Sequence, residues 1–94
     1  MDIYSIRHKG LQRFFEKGQT RGLPQNRIQR LRNVLAALDE ADTMDELDTM
    51  PGWRLHQLVG DRLGVWSITL SGNWRITFRM DGDRIYDLDL EDYH

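Results

Sequence analysis

The sequence of 94 residues contains no cysteine, only two prolines and no long apolar run. Without cysteine the chain can form neither a disulfide framework nor a thiolate nucleophile. No stretch approaches the roughly 18 consecutive apolar residues that a membrane-spanning helix needs, and the N-terminal segment lacks the apolar centre of a signal peptide. We therefore expect a soluble, cytoplasmic protein without a membrane partner, folded as one domain over residues 1–94.

Residue patterns that bind metals or cofactors are also missing. The three histidines, His8, His56 and His94, are scattered and show neither HxxxH nor HExxH spacing. No glycine-rich phosphate loop follows a strand, and no serine lies in a G-x-S-x-G nucleophile elbow. We therefore expect no metal site and no cofactor.

The small net charge of -2 conceals blocks of opposite sign. Residues 1–38 contain eight Lys and Arg against two acidic residues, whereas residues 39–50 contain six acidic residues and no basic one. Residues 51–80 are again basic and residues 81–94 acidic. Such blocks create local fields of opposite sign, and the basic ones either attract an acidic partner or serve only as solvated surface.

The clearest pattern is the strict alternation from Gly64 to Met80, which predicts two antiparallel strands folded about Ser71-Gly72-Asn73. The polar positions include Arg75 and Arg79, which should project from one face of a strand. Ion pairs with Asp87 and Asp89 are an alternative role for these arginines. The apolar positions should face a core, and they are Trp66, Ile68, Leu70, Trp74, Ile76, Phe78 and Met80.

The remaining segments predict helices first and strands afterwards. We expect a strand over 2–7, a helix ended by Gly18, a second helix with Pro24 as its first residue, and a helical turn opened by a capping box from Thr43 to Glu46. Further strands should cover 53–59 and 84–91, with Tyr86, Leu88 and Leu90 inward in the last. The order β-α-α-β-β-β-β predicts an α+β fold with two N-terminal helices packed on one face of a small, mainly antiparallel sheet.

Arginine, histidine and tyrosine on such a sheet are suited to RNA cleavage by the RNA's own 2'-hydroxyl. That reaction needs a base for the hydroxyl, stabilisation of the phosphate and an acid for the leaving 5'-oxygen. The planar fork of arginine matches two phosphate oxygens, and histidine transfers protons near neutral pH. Aromatic side chains can stack on exposed bases.

The segments G-x-W-S-I, S-G-N-W-R-I-T-F and the terminal E-D-Y-H, in this order, resemble the HigB-type toxins of the RelE superfamily. The resemblance covers essentially the whole chain and implies a RelE-like fold and a ribosome-dependent mRNA endoribonuclease. It implies that His56, Asp92, Tyr93 and His94 lie at the catalytic site and that Arg75 contacts phosphate. We further expect three arginines to bind RNA, namely Arg54, Arg62 and Arg79.

The resemblance also implies partners. These are the ribosome with its mRNA and a HigA-type helix-turn-helix antitoxin. The toxin would contact operator DNA only through this antitoxin. Two other functions stay open because a fold does not determine a function. One is a ParE-like inhibitor of DNA gyrase, and the other is a non-catalytic module whose arginine face binds an acidic protein.

Overall fold

The computed structural model describes residues 1–92, which form a five-stranded sheet covered by helices on one side. The helices are α1 (Lys9–Lys17), α2 (Ile28–Glu40) and α3 (Met44–Asp48), and the strands are β1 (Asp2–Ile3), β2 (His56–Gln57), β3 (Val65–Ser71), β4 (Trp74–Asp81) and β5 (Arg84–Asp92). The strand order is β1-β5-β4-β3-β2, with β1 parallel to β5 and all other neighbours antiparallel. The predicted α+β fold with a mainly antiparallel sheet is confirmed.

The first two helices supply the layer that covers the apolar side of the sheet. Helix α1 ends as predicted at Gly18, whose φ of 73° is left-handed and whose N–H donates to the Phe14 carbonyl. The apolar spacing of three and four residues gives each helix one buried stripe. These stripes pack into a core shared with the sheet, and they consist of Leu11 and Phe14 in α1 and of Leu31, Val34, Leu35 and Leu38 in α2. No helix in residues 1–92 is long and apolar enough to cross a membrane.

The central hairpin forms as the alternation predicts. Strands β3 and β4 pair with Ile68 opposite Ile76, and both side chains are buried in the core. The opposite, polar face of this hairpin is not simply solvated, because Ser67 and Thr77 pair directly and are each only 2% exposed. This polar face carries the candidate site.

The prediction that Tyr86 points inward is wrong because β5 contains a β-bulge. Thr77 lies opposite Asp89 but Arg79 lies opposite Tyr86, so β5 has one residue more than β4 between these pairs. Asp87 in the bulge has a left-handed φ of 54°. The extra residue reverses the alternation, so that Ile85 faces the core before the bulge and Leu88 and Leu90 face it afterwards, as predicted for these two.

The predicted strand over 53–59 is also shorter than expected, since β2 contains only His56 and Gln57. Arg54 has a left-handed φ of 51°, which interrupts an extended ladder. Backbone bonds on both sides still hold the segment against β3. The Thr69 N–H donates to the Trp53 carbonyl at 2.7 Å, and the Leu58 N–H donates to the Val65 carbonyl at 2.8 Å.

Two smaller predictions need correction at the ends of elements. The first strand has two residues rather than six, although Ile6 adds an isolated parallel bridge to Leu88. Pro24 is not the first residue of α2, because a 3-10 segment (Gln25–Arg27) separates it from Ile28.

The predicted turn after Thr43 is confirmed as α3, but the capping box is not. The Thr43 side chain makes no capping bond. The Glu46 carboxylate accepts from the N–H of Asp42 at 2.9 Å, one residue earlier than a capping box requires.

Candidate active site

A pocket of about 620 Å³ opens on the polar face, where β3 turns into β4. Its walls come from the segment around β2, from β3, from the turn at Gly72 and from the start of β4. Three of the predicted site residues line it together: Arg54, His56 and Arg75. Segments some twenty residues apart in sequence therefore converge on one cavity that carries two guanidinium groups and an imidazole.

His56 lies on the edge strand β2, where its side chain is exposed and opposite Ser67 in register. Its Nδ1 is 2.6 Å from the Arg54 carbonyl oxygen. Because a carbonyl oxygen only accepts, this contact assigns the proton of the neutral ring to Nδ1 and leaves Nε2 as the acceptor. The left-handed turn at Arg54 therefore coincides with a contact that sets the tautomer of His56.

Arg75 is held on the rigid central strand β4, and its side chain is only 18% exposed. Its Nη2 lies 3.4 Å from Oε1 of Glu91, the residue directly opposite on β5. A guanidinium fixed in this way remains charged while its position relative to the pocket is restricted. This is the arrangement that recognition of a phosphate group requires.

Glu91, which the sequence analysis did not identify, contacts Arg62, Arg75 and Thr77 on the polar face through its carboxylate. Arg62 donates two nearly parallel bonds to it, Nη1 to Oε1 at 2.7 Å and Nη2 to Oε2 at 2.6 Å, and the Thr77 hydroxyl donates to Oε2. The bonds from Arg62 are the main reason why the pKa of Glu91 falls to about 2; burial opposes the shift, and Thr77 and the charges of Arg62 and Arg75 strengthen it. Glu91 is thus a fixed anion near neutral pH.

Asp87 and Asp89 are the only acidic partners that the sequence analysis considered for Arg75 and Arg79. In the structure, Asp87 instead forms a salt bridge with Arg7 at 3.4 Å, and Arg75 faces Glu91. Only the observed register identifies this partner.

The other predicted RNA-binding residues lie farther along the same face. Arg62 and Arg79 both line a smaller cleft of about 80 Å³ beside Thr77. The guanidinium of Arg62 is bonded to Glu91, whereas the side chain of Arg79 is exposed. The structure therefore brings Arg62 to Arg75 through Glu91 but separates Arg79 from the larger pocket.

The predicted catalytic residues at the end of the chain are described only in part. Asp92 is exposed at the end of β5 and pairs in register with Trp74, which contributes to the pocket. Tyr93 and His94 lie outside the described residues, so their catalytic roles stay predictions. Within residues 1–92, no group of three or more His, Cys, Asp or Glu side chains is placed to hold a metal ion.

Comparison with known proteins identifies clear similarities. Residues 4–94 match the family model for the RelE-like toxin of the type II toxin–antitoxin system HigB. The chain is 47% identical over 92 residues to Endoribonuclease HigB of Proteus vulgaris, and the match covers 98% of this chain and 99% of that protein.

Two solved structures share the fold at low sequence identity. The YoeB/ParE toxin from Agrobacterium tumefaciens superposes with a TM-score of 0.60 and 12% identity, covering 100% of this chain and 99% of that one. YafQ from E. coli strain BL21(DE3) superposes with a TM-score of 0.56 and 12% identity, covering 97% and 93%. At this identity the two structures show the fold alone.

Proposed function

The chain belongs to the family of RelE-like toxins of the type II toxin–antitoxin system HigB, and from this premise we propose that it is an endoribonuclease that cuts mRNA on the ribosome. The relative of 47% identity, named Endoribonuclease HigB, supports the nuclease activity. A toxin of this family acts within a toxin–antitoxin partnership. Translation stops when the message in the ribosome is cut.

The observation that carries the proposal is the meeting of His56, Arg54 and Arg75 in one pocket on a rigid sheet. Cleavage by the 2'-hydroxyl forms a bond between the 2'-oxygen and phosphorus and breaks the bond from phosphorus to the 5'-oxygen. Nε2 of His56, left unprotonated by the Nδ1 contact, takes the proton of the 2'-hydroxyl. Arg75 and Arg54 stabilise the charge that develops on the phosphate. The product is a 2',3'-cyclic phosphate or the 3'-phosphate that results from its hydrolysis.

The end of the chain completes this mechanism. We assign His94 as the acid that protonates the leaving 5'-oxygen and Tyr93 as the residue that orients the RNA by stacking or hydrogen bonding. Asp92 is the third member of this terminal group. The motivation is the family match over residues 4–94 and the position of Asp92 opposite Trp74 at the pocket end of the sheet.

Arg62 and Arg79 are proposed to contact RNA beyond the pocket. Both line the smaller cleft on the same polar face. Arg62 also positions Arg75, because the two guanidinium groups share the carboxylate of Glu91.

The partners follow from the same family. We propose that a HigA-type helix-turn-helix antitoxin neutralises the toxin and that the toxin reaches operator DNA only through it. The site of action is the cytoplasm, where ribosomes translate mRNA. No metal or cofactor is needed, since the proposed residues supply base, acid and charge stabilisation themselves.

Mapping of mRNA 5' ends after induced expression tests this function. We expect new 5' ends inside translated regions for the wild type and none for Arg75→Ala, with growth arrest only for the wild type. Intact transcripts in arrested cells would contradict the nuclease and, if plasmid supercoiling is lost in those cells, would identify a gyrase inhibitor instead.

A further inference from the structure

Two tyrosines and an arginine form an exposed cluster on the polar face, away from the pocket. The ring centroids of Tyr4 and Tyr86 are 4.9 Å apart with planes tilted by 50°. The Cζ atom of Arg84 lies 4.9 Å from the centroid of Tyr4. Tyr4 is 58% exposed. We call Tyr4, Tyr86 and Arg84 the aromatic platform.

Strand pairing places this platform on the same side of the sheet as the candidate active site. Parallel pairing of Ile3 with Ile85 directs both into the core, so Tyr4 and Tyr86 project from the opposite face. The bulge at Asp87 is essential for this, because an uninterrupted β5 with Leu88 inward would also direct Tyr86 into the core. The fold thus leaves Tyr4 exposed and Tyr86 partly exposed on the polar face.

Arg79 connects the platform with the pocket. It lies directly opposite Tyr86 in register and four residues after Arg75 on the same strand, which corresponds to about 13 Å. Its guanidinium lies over Gly64, where an added Cβ would stand 3.4 Å from Nη1. The neighbouring cations are neutralised, Arg7 by Asp87 and Arg84 by Asp2, but among residues 1–92 Arg79 has no ion pair.

An aromatic surface beside an unneutralised guanidinium has the chemistry of a nucleotide subsite. Bases stack on tyrosine rings and on arginine planes, and a phosphate pairs with a guanidinium. An acidic peptide would form an ion pair with Arg79 but would not stack on the tyrosine rings. Continuity with the pocket along β4 also favours a strand of RNA that already occupies the pocket.

We propose that Tyr4, Tyr86, Arg84 and Arg79 form a second RNA subsite, which takes an unpaired nucleotide with its base on the platform and its phosphate on Arg79. The inference rests on the proposed endoribonuclease function and extends the RNA path beyond the cleavage pocket. The nucleotide comes either from the mRNA or from ribosomal RNA, which offer the same chemistry.

Binding measurements with two probes test the subsite and distinguish its two sources. The first probe is a set of 2'-O-methyl oligoribonucleotides of about two and about eight nucleotides, which lack the attacking hydroxyl and cannot be cleaved. The second is ribosomes without mRNA. The variants are Tyr4→Ala, Tyr4→Phe and Arg79→Gln, with Arg13→Gln on exposed α1 as a control for the loss of one charge.

We expect Tyr4→Ala and Arg79→Gln to weaken binding about tenfold, which is within the range for loss of one stacked base or one phosphate contact. Tyr4→Phe and Arg13→Gln should bind within twofold of the wild type. If mRNA occupies the subsite, the loss is confined to the longer oligonucleotide; if ribosomal RNA does, the loss appears with ribosomes.

If the wild type binds a probe and Tyr4→Ala and Arg79→Gln weaken binding to neither the longer oligonucleotide nor the ribosome, the subsite is overturned but the nuclease is not. Failure of the wild type to bind either probe contradicts the proposed function itself. Melting temperatures check folding, and a Tyr4→Ala protein that does not fold is replaced by Tyr4→Leu, which keeps an apolar side chain without a ring.

Discussion

Arg75 has a structural partner and a proposed catalytic role, and its contacts allow the two to be separated. Its bond to Glu91 is long at 3.4 Å, whereas the bonds of Glu91 to Arg62 are 2.7 and 2.6 Å. Loss of Arg75 therefore leaves Glu91 with its strongest partner. We therefore expect loss of Arg75 to affect the proposed reaction more than the fold.

Arg75→Ala should lower the single-turnover cleavage rate by about 30-fold to 1000-fold, the effect of losing roughly 2–4 kcal/mol of transition-state stabilisation. The free energy of unfolding should fall by about 1 kcal/mol, since the ion pair with Glu91 is long and weak. The cleavage rate of Arg75→Lys, which keeps the charge without the planar guanidinium, should lie between those of the wild type and Arg75→Ala. A destabilised Arg75→Ala protein that still cuts at the wild-type rate would remove Arg75 from the site.

Glu91 makes stability depend on pH in a defined direction. Its folded pKa of about 2 lies below the ordinary value of 4.5, so the folded state favours the carboxylate. The resulting stabilisation is fully present above about pH 4.5 and is lost as the pH falls towards 2. Allowing for partial solvent exposure, we expect it to be on the order of 2 kcal/mol.

Urea denaturation of wild type and Glu91→Gln from pH 7 to pH 2 measures this contribution. The variant should be less stable by about 2 kcal/mol at pH 7, and most of the difference should be gone near pH 2, because about half of Glu91 in the folded wild type is then protonated. Asp83→Asn, in the exposed turn before β5, is the control and should follow the wild type. A difference that is constant with pH would contradict the assigned pKa.

At the scale of elements, two left-handed residues determine how the polar face is arranged. Asp87 forms the bulge that places Glu91 opposite Arg75 and Tyr86 on the polar face. Arg54 interrupts β2 and places its carbonyl against His56. Non-glycine residues with positive φ cost of order 1 kcal/mol or more, so both are strained positions next to the proposed site.

Substitution of Arg54 distinguishes the backbone from the charge. Arg54→Gly suits the left-handed backbone and should stay within about 1 kcal/mol of wild-type stability, whereas β-branched Arg54→Val should lose about 1–2 kcal/mol. Both remove the guanidinium and should weaken cleavage by a similar factor. Chemical denaturation and cleavage assays of the pair check this, and equal stability of the two variants would show that the backbone is not strained there.

Prediction from sequence succeeded where the alternation is uninterrupted and failed at the two left-handed residues, Asp87 and Arg54. The hairpin of β3 and β4 was predictable because its alternation is uninterrupted, and with it the polar position of Arg75. The orientation of Tyr86 and the pairing of Glu91 with Arg75 could not be predicted. Both depend on how β5 pairs with β4, and no local sequence pattern marks the bulge at Asp87. The shortness of β2 could not be predicted either, because no local pattern marks the left-handed backbone at Arg54. His56 and Arg75 were predicted as site residues, and they do line one pocket.

For the whole molecule, the arrangement of charge matters more than the net value of -2. The acidic block of residues 39–50 lies on α3 and the end of α2, whose buried residues belong to the core on the apolar side of the sheet. The arginines of the proposed site project from the polar face. The acidic block of residues 39–50 is therefore separated from these arginines, whereas acidic residues of β5 such as Glu91 share the polar face with them.

Salt dependence of ribosome binding tests this separation. Arg79→Gln should reduce the slope of log affinity against log salt by about one, because one phosphate contact is lost. Asp45→Asn on α3 should leave the slope unchanged and the affinity within twofold at about 0.15 M salt, where the Debye length is about 8 Å. Equal effects of the two substitutions would mean that net charge alone governs binding.

The proposed active site is tested most directly by single-turnover cleavage of mRNA on programmed ribosomes by wild type, His56→Ala and Arg75→Ala, with the fragment ends analysed chemically. We expect the wild type to leave a 2',3'-cyclic phosphate or 3'-phosphate, and both variants to remain folded but lose at least about 30-fold in rate. Cleavage at the wild-type rate by both folded variants, or fragments with a 3'-hydroxyl, would contradict it.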